Sequence, residues 1–440
     1  MIQSRFEEII EPLFGNKTRA IHHSVALAVS GGSDSIALLY LMFSWAKSRK
    51  IKLVVFSVDH DLRVNSKNDV EFVRTEVRKL GLEFHDLKWQ HQGIKTGVQE
   101  KARQARYELM TDKCKQLGIT CLMTAHHADD LLENYSMRKN KKASLLGLSF
   151  SDNYFFNDVE IIRPLLKYHK SDLIYYLKAN NIKWVEDESN TSDHYERNRI
   201  RKEVESSGIK KQYELYHEML QTNEQAKKVN DELIKAIAEA VEIYQQGFAI
   251  IDLTKFNQMI IDLQVHVINY ITTIIGGNTN IPRYRSVGKL LEKIRIGEKF
   301  TSSIHGCIIK EVNQSLLIFR EVSDIKMAVS LSEDKVLWDN RFQIEFKKKS
   351  DLKQYSVEKL KLEDYVLIRK ELEHRNKSLY SLKTVVGNCH KSILFTLPVI
   401  KNLEKIVAIP HISYYDDRQF AGLFKITFRP NFISRFTHFL

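Results

Sequence analysis

Three polar clusters in the first third of the chain carry residue types suited to chemistry on phosphates and amines. The first is Ser30–Ser35, "SGGSDS", lying between the apolar runs "SVALAV" and "SIALLYL". Gly31 and Gly32 supply backbone N–H groups at low steric cost, the serines supply hydroxyls, and a following helix would add its N-terminus; together these form an anion nest. The G-x-x-x-x-G-K-[ST] phosphate loop is a different device, since its lysine has no counterpart between Ser30 and Ser35. Asp34 would repel phosphate on its own. It fits if the carboxylate faces a Mg²⁺ that also touches phosphate oxygens, because Mg²⁺ is held by one or two carboxylates plus substrate oxygens. The second cluster is Asp59–His60, and the third is "HHADDLLEN", with His126, His127, Asp129, Asp130 and Glu133. Asp130 and Glu133 lie three apart, so a helix puts them on one face, with His126 one turn before Asp130. Asp129 reads as a helix cap, and His127 as packing or polar support.

These clusters need elements to bring them together, and the alternation of periods provides them. Strands are expected at 24–29, 51–60, 83–89, 121–127 and 160–166, and helices at 35–50, 68–81, from Thr96 (a T-x-x-Q capping box with Gln99) and at 128–139. Short joints between strand and helix indicate an α/β doubly wound parallel sheet, Rossmann-like, whose ligands sit beyond the carboxyl ends of the strands. All three clusters fall directly after expected strands and should meet on one edge. Residues 212–244 and 256–275 read as amphipathic helices, 304–320 as a hairpin turning at Asn313–Gln314, and the remainder as mixed strands and helices. Boundaries are expected near 208 and 325. They divide the chain into a catalytic domain (1–208), a mainly helical domain with a terminal hairpin (209–325) and a small α+β domain (326–440).

The loop resembles the PP-loop of the N-type ATP pyrophosphatases, which cleave ATP between the α- and β-phosphates and activate a carbonyl oxygen as an adenylate. Four further segments narrow the resemblance: "VDHDLR" (58–63), "QEKARQARYELM" (99–110), "TAHHADDLLEN" (124–134) and "VEDESNTSDHYERNRIR" (185–201). In order and spacing they are similar to the motif series of the tRNA(Ile)-lysidine synthetase family. That resemblance implies ATP and Mg²⁺ as cofactors, and free L-lysine and an isoleucine tRNA with a CAU anticodon as substrates. It implies that C2 of the wobble cytidine is adenylated and then attacked by the lysine amine. By the same resemblance, Ser30, Gly31, Gly32, Ser33, Asp34, Ser35, Asp59 and His60 would bind ATP, with Asp34 as the metal ligand. Arg106, on one face with Gln99 and Arg103, would stabilise the departing phosphate, and His126 would touch the α-phosphate or move a proton. Asp130 and Glu133 would hold the lysine amine, and Arg197, Asn198, Arg199 and Arg201 would contact tRNA. Asn134, Asp61 and the glycine-poor "KNKKASLLG" (139–147) depart from the family pattern.

Composition agrees with this reading without requiring it. Of 440 residues 43% are hydrophobic and 28% charged, enough for sizeable cores. A formal net charge of +12 suits a polyanionic partner, and "ERNRIR" is its best local source. Cys114, Cys121, Cys307 and Cys389 form no C-x-x-C pair, which points to a reducing compartment and away from a zinc site. No secretory leader or membrane-spanning run is expected, the chain reads as cytoplasmic, and no obligate protein partner is foreseen. The rivals are a tRNA thiolation enzyme on the same fold, for which cysteine equipment is lacking, and a non-catalytic RNA-binding relative, in which the loop and acidic pair should have decayed first.

Overall fold

The structure, a computed structural model, describes residues 2–15, 24–59, 66–90, 98–186, 196–278, 280–297, 299–325, 328–331, 335–346, 354–374, 391–417 and 420–430. Two compact units divide the described chain, one up to Asn230 and the other from Asp231, a division that falls within the last helix of the first unit.

The first unit opens with α1 (Ile2–Gly15) and continues as β1 (Ser24–Ala28), α2 (Ser33–Lys47), β2 (Lys52–Asp59), α3 (Ser66–Lys79), β3 (Glu83–Lys88), α4 (Val98–Gln116), β4 (Cys121–Met123), α5 (Ala128–Asn140), α6 (Leu145–Leu148), β5 (Asn153–Phe156), β6 (Val159–Ile162), α7 (Lys170–Ala179), α8 (Glu196–Ser206) and α9 (Ile209–Ala240). Six strands form one sheet in the order β3-β2-β1-β4-β6-β5. Every pairing is parallel except β5 with β6. The continuous apolar runs of the central strands follow from burial on both faces. Val25, Leu27, Leu53, Val55, Met123 and Ile162 enter one core with α2 and α7, while Ala26, Val54, Phe56, Leu122 and Ile161 enter another with Tyr107, Met110 and Cys114 of α4. That is the doubly wound arrangement expected from the sequence.

The fifth parallel strand ends at Ile162, short of the expected 166, and the antiparallel β5 before it has no counterpart in the sequence reading. Only one face of β5 is covered: Tyr154 and Phe156 are buried while Phe155 is exposed, so its pattern lacks the apolar run of the central strands. Asn157 and Asp158, both at positive φ, close the two-residue turn. The expected strand at 121–127 likewise stops at Met123, which frees the histidines to lie in a loop. Thr96 falls outside the described residues.

The second unit holds β7 (Val241–Tyr244), β8 (Phe248–Asp252), α10 (Leu253–Asn257), α11 (Ile261–Gly276), α12 (Tyr284–Ile296), β9 (Thr301–Ile304), β10 (Cys307–Val312) and β11 (Ser315–Arg320). These five strands pair antiparallel in the order β7-β8-β11-β10-β9. The long helix expected through Tyr244 therefore stops at Ala240, and the one expected from 256 is broken before Ile261. The expected hairpin is present, with Asn313 and Gln314 at φ of 49° and 58°. Further along the chain lie a second five-stranded sheet and a three-stranded one, together with a helix at Leu362–His374. Among the described residues no helix is long and apolar enough to cross a membrane.

Candidate active site

The turn between β1 and α2 is shaped by one hydroxyl. Ser35 Oγ accepts from the N–H groups of Ser30 (3.1 Å) and Gly31 (3.2 Å) and donates to Gly32 O (3.0 Å). Gly31 sits at φ 94°, a conformation open to glycine, and its carbonyl accepts from Val185 N at 2.9 Å. The Gly31 N–H, expected to face an anion, is thus turned inward. No side chain caps α2 at Gly32, so the first-turn N–H groups, which have no partner within a helix, are left for a bound anion.

Asp34 stands in that first turn. Ser33 Oγ donates to its Oδ1 at 3.0 Å, and His127 Nε2 lies 3.5 Å from its Oδ2. Burial alone would push the carboxyl up. The hydrogen bond and charge of His127, with Lys170 and the Ser33 hydroxyl, outweigh this and hold it below its ordinary value. An ionised carboxylate in the first turn of a helix fits a hard cation shared with phosphate oxygens. Among the described residues no group of three or more His, Cys, Asp and Glu side chains could hold a metal ion, and one carboxylate sharing the ion with a nucleotide needs no such group.

The loop after β4 brings the third cluster to the same edge. His126 Nδ1 is 2.9 Å from Thr124 Oγ1. His127 is buried, and its Nε2 lies 3.6 Å from Asp130 Oδ2 as well as facing Asp34. Burial opposes protonation of this ring, but the hydrogen bond to Asp34 and the charges of Asp130, Asp34 and Asp129 prevail and raise its pKa. Asp130 also accepts from the backbone N–H of His127 at 3.1 Å, capping α5. Asp129, expected as that cap, instead accepts from Lys170 N at 2.7 Å and contacts His169 Nδ1 at 2.8 Å, so it caps α7. Its position beside Asp130 is local, but its partner comes from another helix, and sequence spacing could not show that.

The remaining expected residues are distributed around this centre. Asp59 is buried at the end of β2, next to β1 in the sheet. Arg106 and Arg103 lie on α4 with their guanidinium carbons 5.7 and 5.3 Å from the centre of the Tyr107 ring. Glu133 is 2% exposed and ion-pairs with Arg201 of α8. Arg199 is exposed on the same helix. His60 lies outside the described residues, as do the side chains of Gln99, Arg197 and Asn198. The structure therefore brings Asp34 of the Ser30–Ser35 loop and Asp130 together through His127, places His126 beside Thr124, and pairs two residues expected to do separate jobs, Glu133 and Arg201.

The family model of the PP-loop domain matches residues 1–207. The tRNA(Ile)-lysidine synthase of Rickettsia bellii (strain OSU 85-389) is 43% identical over 441 residues, with 100% of each chain covered. That of Rickettsia felis is 42% identical, again with 100% of each chain covered. The chain belongs to the tRNA(Ile)-lysidine synthase family. Among solved structures, the U34-tRNA thiolase NcsA from Methanococcus maripaludis, with its [4Fe-4S] cluster, aligns over 50% of this chain and 78% of that one. Its identity is 15% and its TM-score 0.42, too distant to bear on activity. Among the described residues Cys114, Cys121 and Cys307 are buried, and burial pushes the thiols of Cys114 and Cys307 up to about 12, which leaves those two poorly suited to carrying sulfur. Ser30–Ser35, Asp130 and Glu133 are all present in the chain, so the loss expected of a non-catalytic relative is not seen at those positions.

Proposed function

We propose that this chain joins L-lysine to C2 of the wobble cytidine, position 34, in the CAU anticodon of an isoleucine tRNA, consuming ATP and releasing pyrophosphate and AMP. The observation that carries the reading is the end-to-end match to enzymes named for lysidine formation on tRNA(Ile), over 100% of both chains. The geometry supports it. First-turn N–H groups of α2 and the serines of Ser30–Ser35 hold phosphates, Asp59 and His60 border the nucleoside end, and Asp34 would hold Mg²⁺, which supplies charge neutralisation on the phosphates. Arg106 offsets charge on the departing group and His126 serves the α-phosphate. Asp130 and Glu133 attract the lysine amine, whose attack on C2 expels AMP. Arg197, Asn198, Arg199 and Arg201 meet the tRNA. In this reading residues 1–208 are the catalytic domain, and 209–325 and 326–440 recognise the rest of the tRNA, with no protein partner required and the cytoplasm as the site of action.

The test is incubation of the protein with ATP, Mg²⁺, lysine and bulk tRNA. AMP release that needs both tRNA and lysine is expected. AMP formed from lysine without tRNA, or only with a sulfur donor, overturns the reading.

A further inference from the structure

His127 closes a ring of contacts that begins and ends at Asp34. Asp34 is carried by α2, and α2 packs against α7, with Leu38 and Leu41 of the one and Leu173 and Leu177 of the other fully buried in the core they share. The N-terminus of α7 is tied to the first turn of α5 twice, by Lys170 N donating to Asp129 Oδ2 at 2.7 Å and by Ala128 N donating to Tyr168 O at 2.8 Å. Asp129 Oδ2 then lies 3.5 Å from His127 Nδ1, a charge contact that leaves this buried nitrogen without a hydrogen bond, and His127 Nε2 faces Asp34 Oδ2 at 3.5 Å. A buried position with only a packing role is filled at lower cost by an apolar side chain. Here a ring 2% exposed is surrounded by Asp34, Asp129 and Asp130.

We propose that His127 is a positioning residue for Asp34 and that Asp129 acts through it. Ser33 fixes one carboxylate oxygen of Asp34 and His127 fixes the other, so the carboxylate plane is set before nucleotide and cation arrive. Asp129, anchored on α7, sets its carboxylate against the opposite ring nitrogen and so favours the ring orientation that does this. Outer partners of this kind orient a metal-binding group and are worth about 10- to 100-fold in affinity or rate. The inference rests on the proposed reading, in which Asp34 serves Mg²⁺ and phosphate.

Three variants separate positioning from packing. H127L keeps the volume and loses the donor, H127Q keeps a donor toward Asp34, and D129A removes the anchor. H127L is expected to lower kcat for tRNA-dependent pyrophosphate release about 10- to 100-fold, to leave KM for tRNA unchanged, and to raise the Mg²⁺ concentration at half-maximal rate. Calorimetric affinity for a non-hydrolysable ATP analogue with Mg²⁺ should fall in parallel. H127Q should recover most of both losses. D129A should be impaired alone and, in kcat and analogue affinity, add nothing to H127L, as expected where one residue acts on the site through another; loss of its bond to Lys170 N on α7 should show separately as a lower urea midpoint. H127L with wild-type kcat and analogue affinity, or D129A and H127L with additive losses, overturns the proposal while the wild type still makes AMP. A wild type that makes no tRNA- and lysine-dependent AMP overturns the functional reading instead.

Discussion

Arg201 on α8 donates from Nε to Oε1 of Glu133 on α5, and Glu133 is 2% exposed. The pair joins a helix expected to meet RNA to one expected to meet the lysine amine. Removing the guanidinium leaves a buried carboxylate short of its counter-charge. Arg201→Ala should therefore destabilise the first unit by roughly 2–4 kcal/mol, less than for a fully buried pair because the Arg201 side chain retains some contact with water. Urea denaturation followed by circular dichroism measures this. The double variant R201M/E133L should regain much of the loss, and a double variant no better than R201A would show that the site cannot repack.

Asp34→Ala tests the chemistry of the loop directly. The substitution removes the carboxylate offered to a cation and leaves the Ser35 hydrogen bonds in place. Pyrophosphate release should drop at least about 100-fold, the scale of a lost electrostatic group in an active site. Gel-shift binding of tRNA should persist. Loss of both would indicate a folding defect.

What could be read from the sequence was local. "SGGSDS" declared a strand-to-helix turn because the strand, the glycines and the helix are adjacent, and parallel pairing followed from the β-branched, continuous apolar runs. His127 was legible as a polar group but not as the link to Asp34, which lies far away in sequence and comes near only through β1–β4 pairing. Asp129 illustrates the same limit. Its type and place fit a cap for α5, yet a tertiary contact recruits it to α7. In the second unit β7 continues the α9 pattern directly, so periodicity gave no break at Ala240.

Gly31→Ala isolates backbone strain from steric conflict. An added Cβ would meet Val185 Cγ2 and Val73 Cγ2 at 3.5 Å, ordinary contact distances. The cost arises from φ of 94° and should be about 1–2 kcal/mol. A lower urea midpoint together with slowed pyrophosphate release is expected, because Ser35 must keep its bond to the same N–H. Unchanged stability would mean that the loop relaxes to another conformation.

Asp339 is the counter-ion of two guanidiniums inside the second unit. Arg320 Nε and Arg341 Nε approach its Oδ2 at 3.0 and 2.7 Å, and both Asp339 and Arg341 side chains are fully buried. Burial lowers the Arg341 pKa to about 10, against the pull of Asp339. Asp339→Asn removes the opposing charge and should cost roughly 3–5 kcal/mol. Amide hydrogen exchange would locate the loss: β11 amides should exchange faster while those of β1 and β2 keep their protection.

His411 gives the second unit an acid limit. It faces the Phe342 ring edge-on at 5.3 Å, and burial, partly offset by the Gln245 backbone, pushes its pKa down from 6.5 to about 4. A lowered histidine pKa means that the unfolded chain takes up a proton at higher pH than the folded one. Stability is then fully present above pH 6.5 and declines as pH falls to about 4, by on the order of 3 kcal/mol in all. Below that both states carry the proton and this contribution stops changing. His411→Phe keeps an aromatic ring against Phe342 and should flatten the pH dependence of the second unit's hydrogen-exchange stability between pH 7 and 4.5. Equal slopes in the two proteins would assign the acid sensitivity to another group.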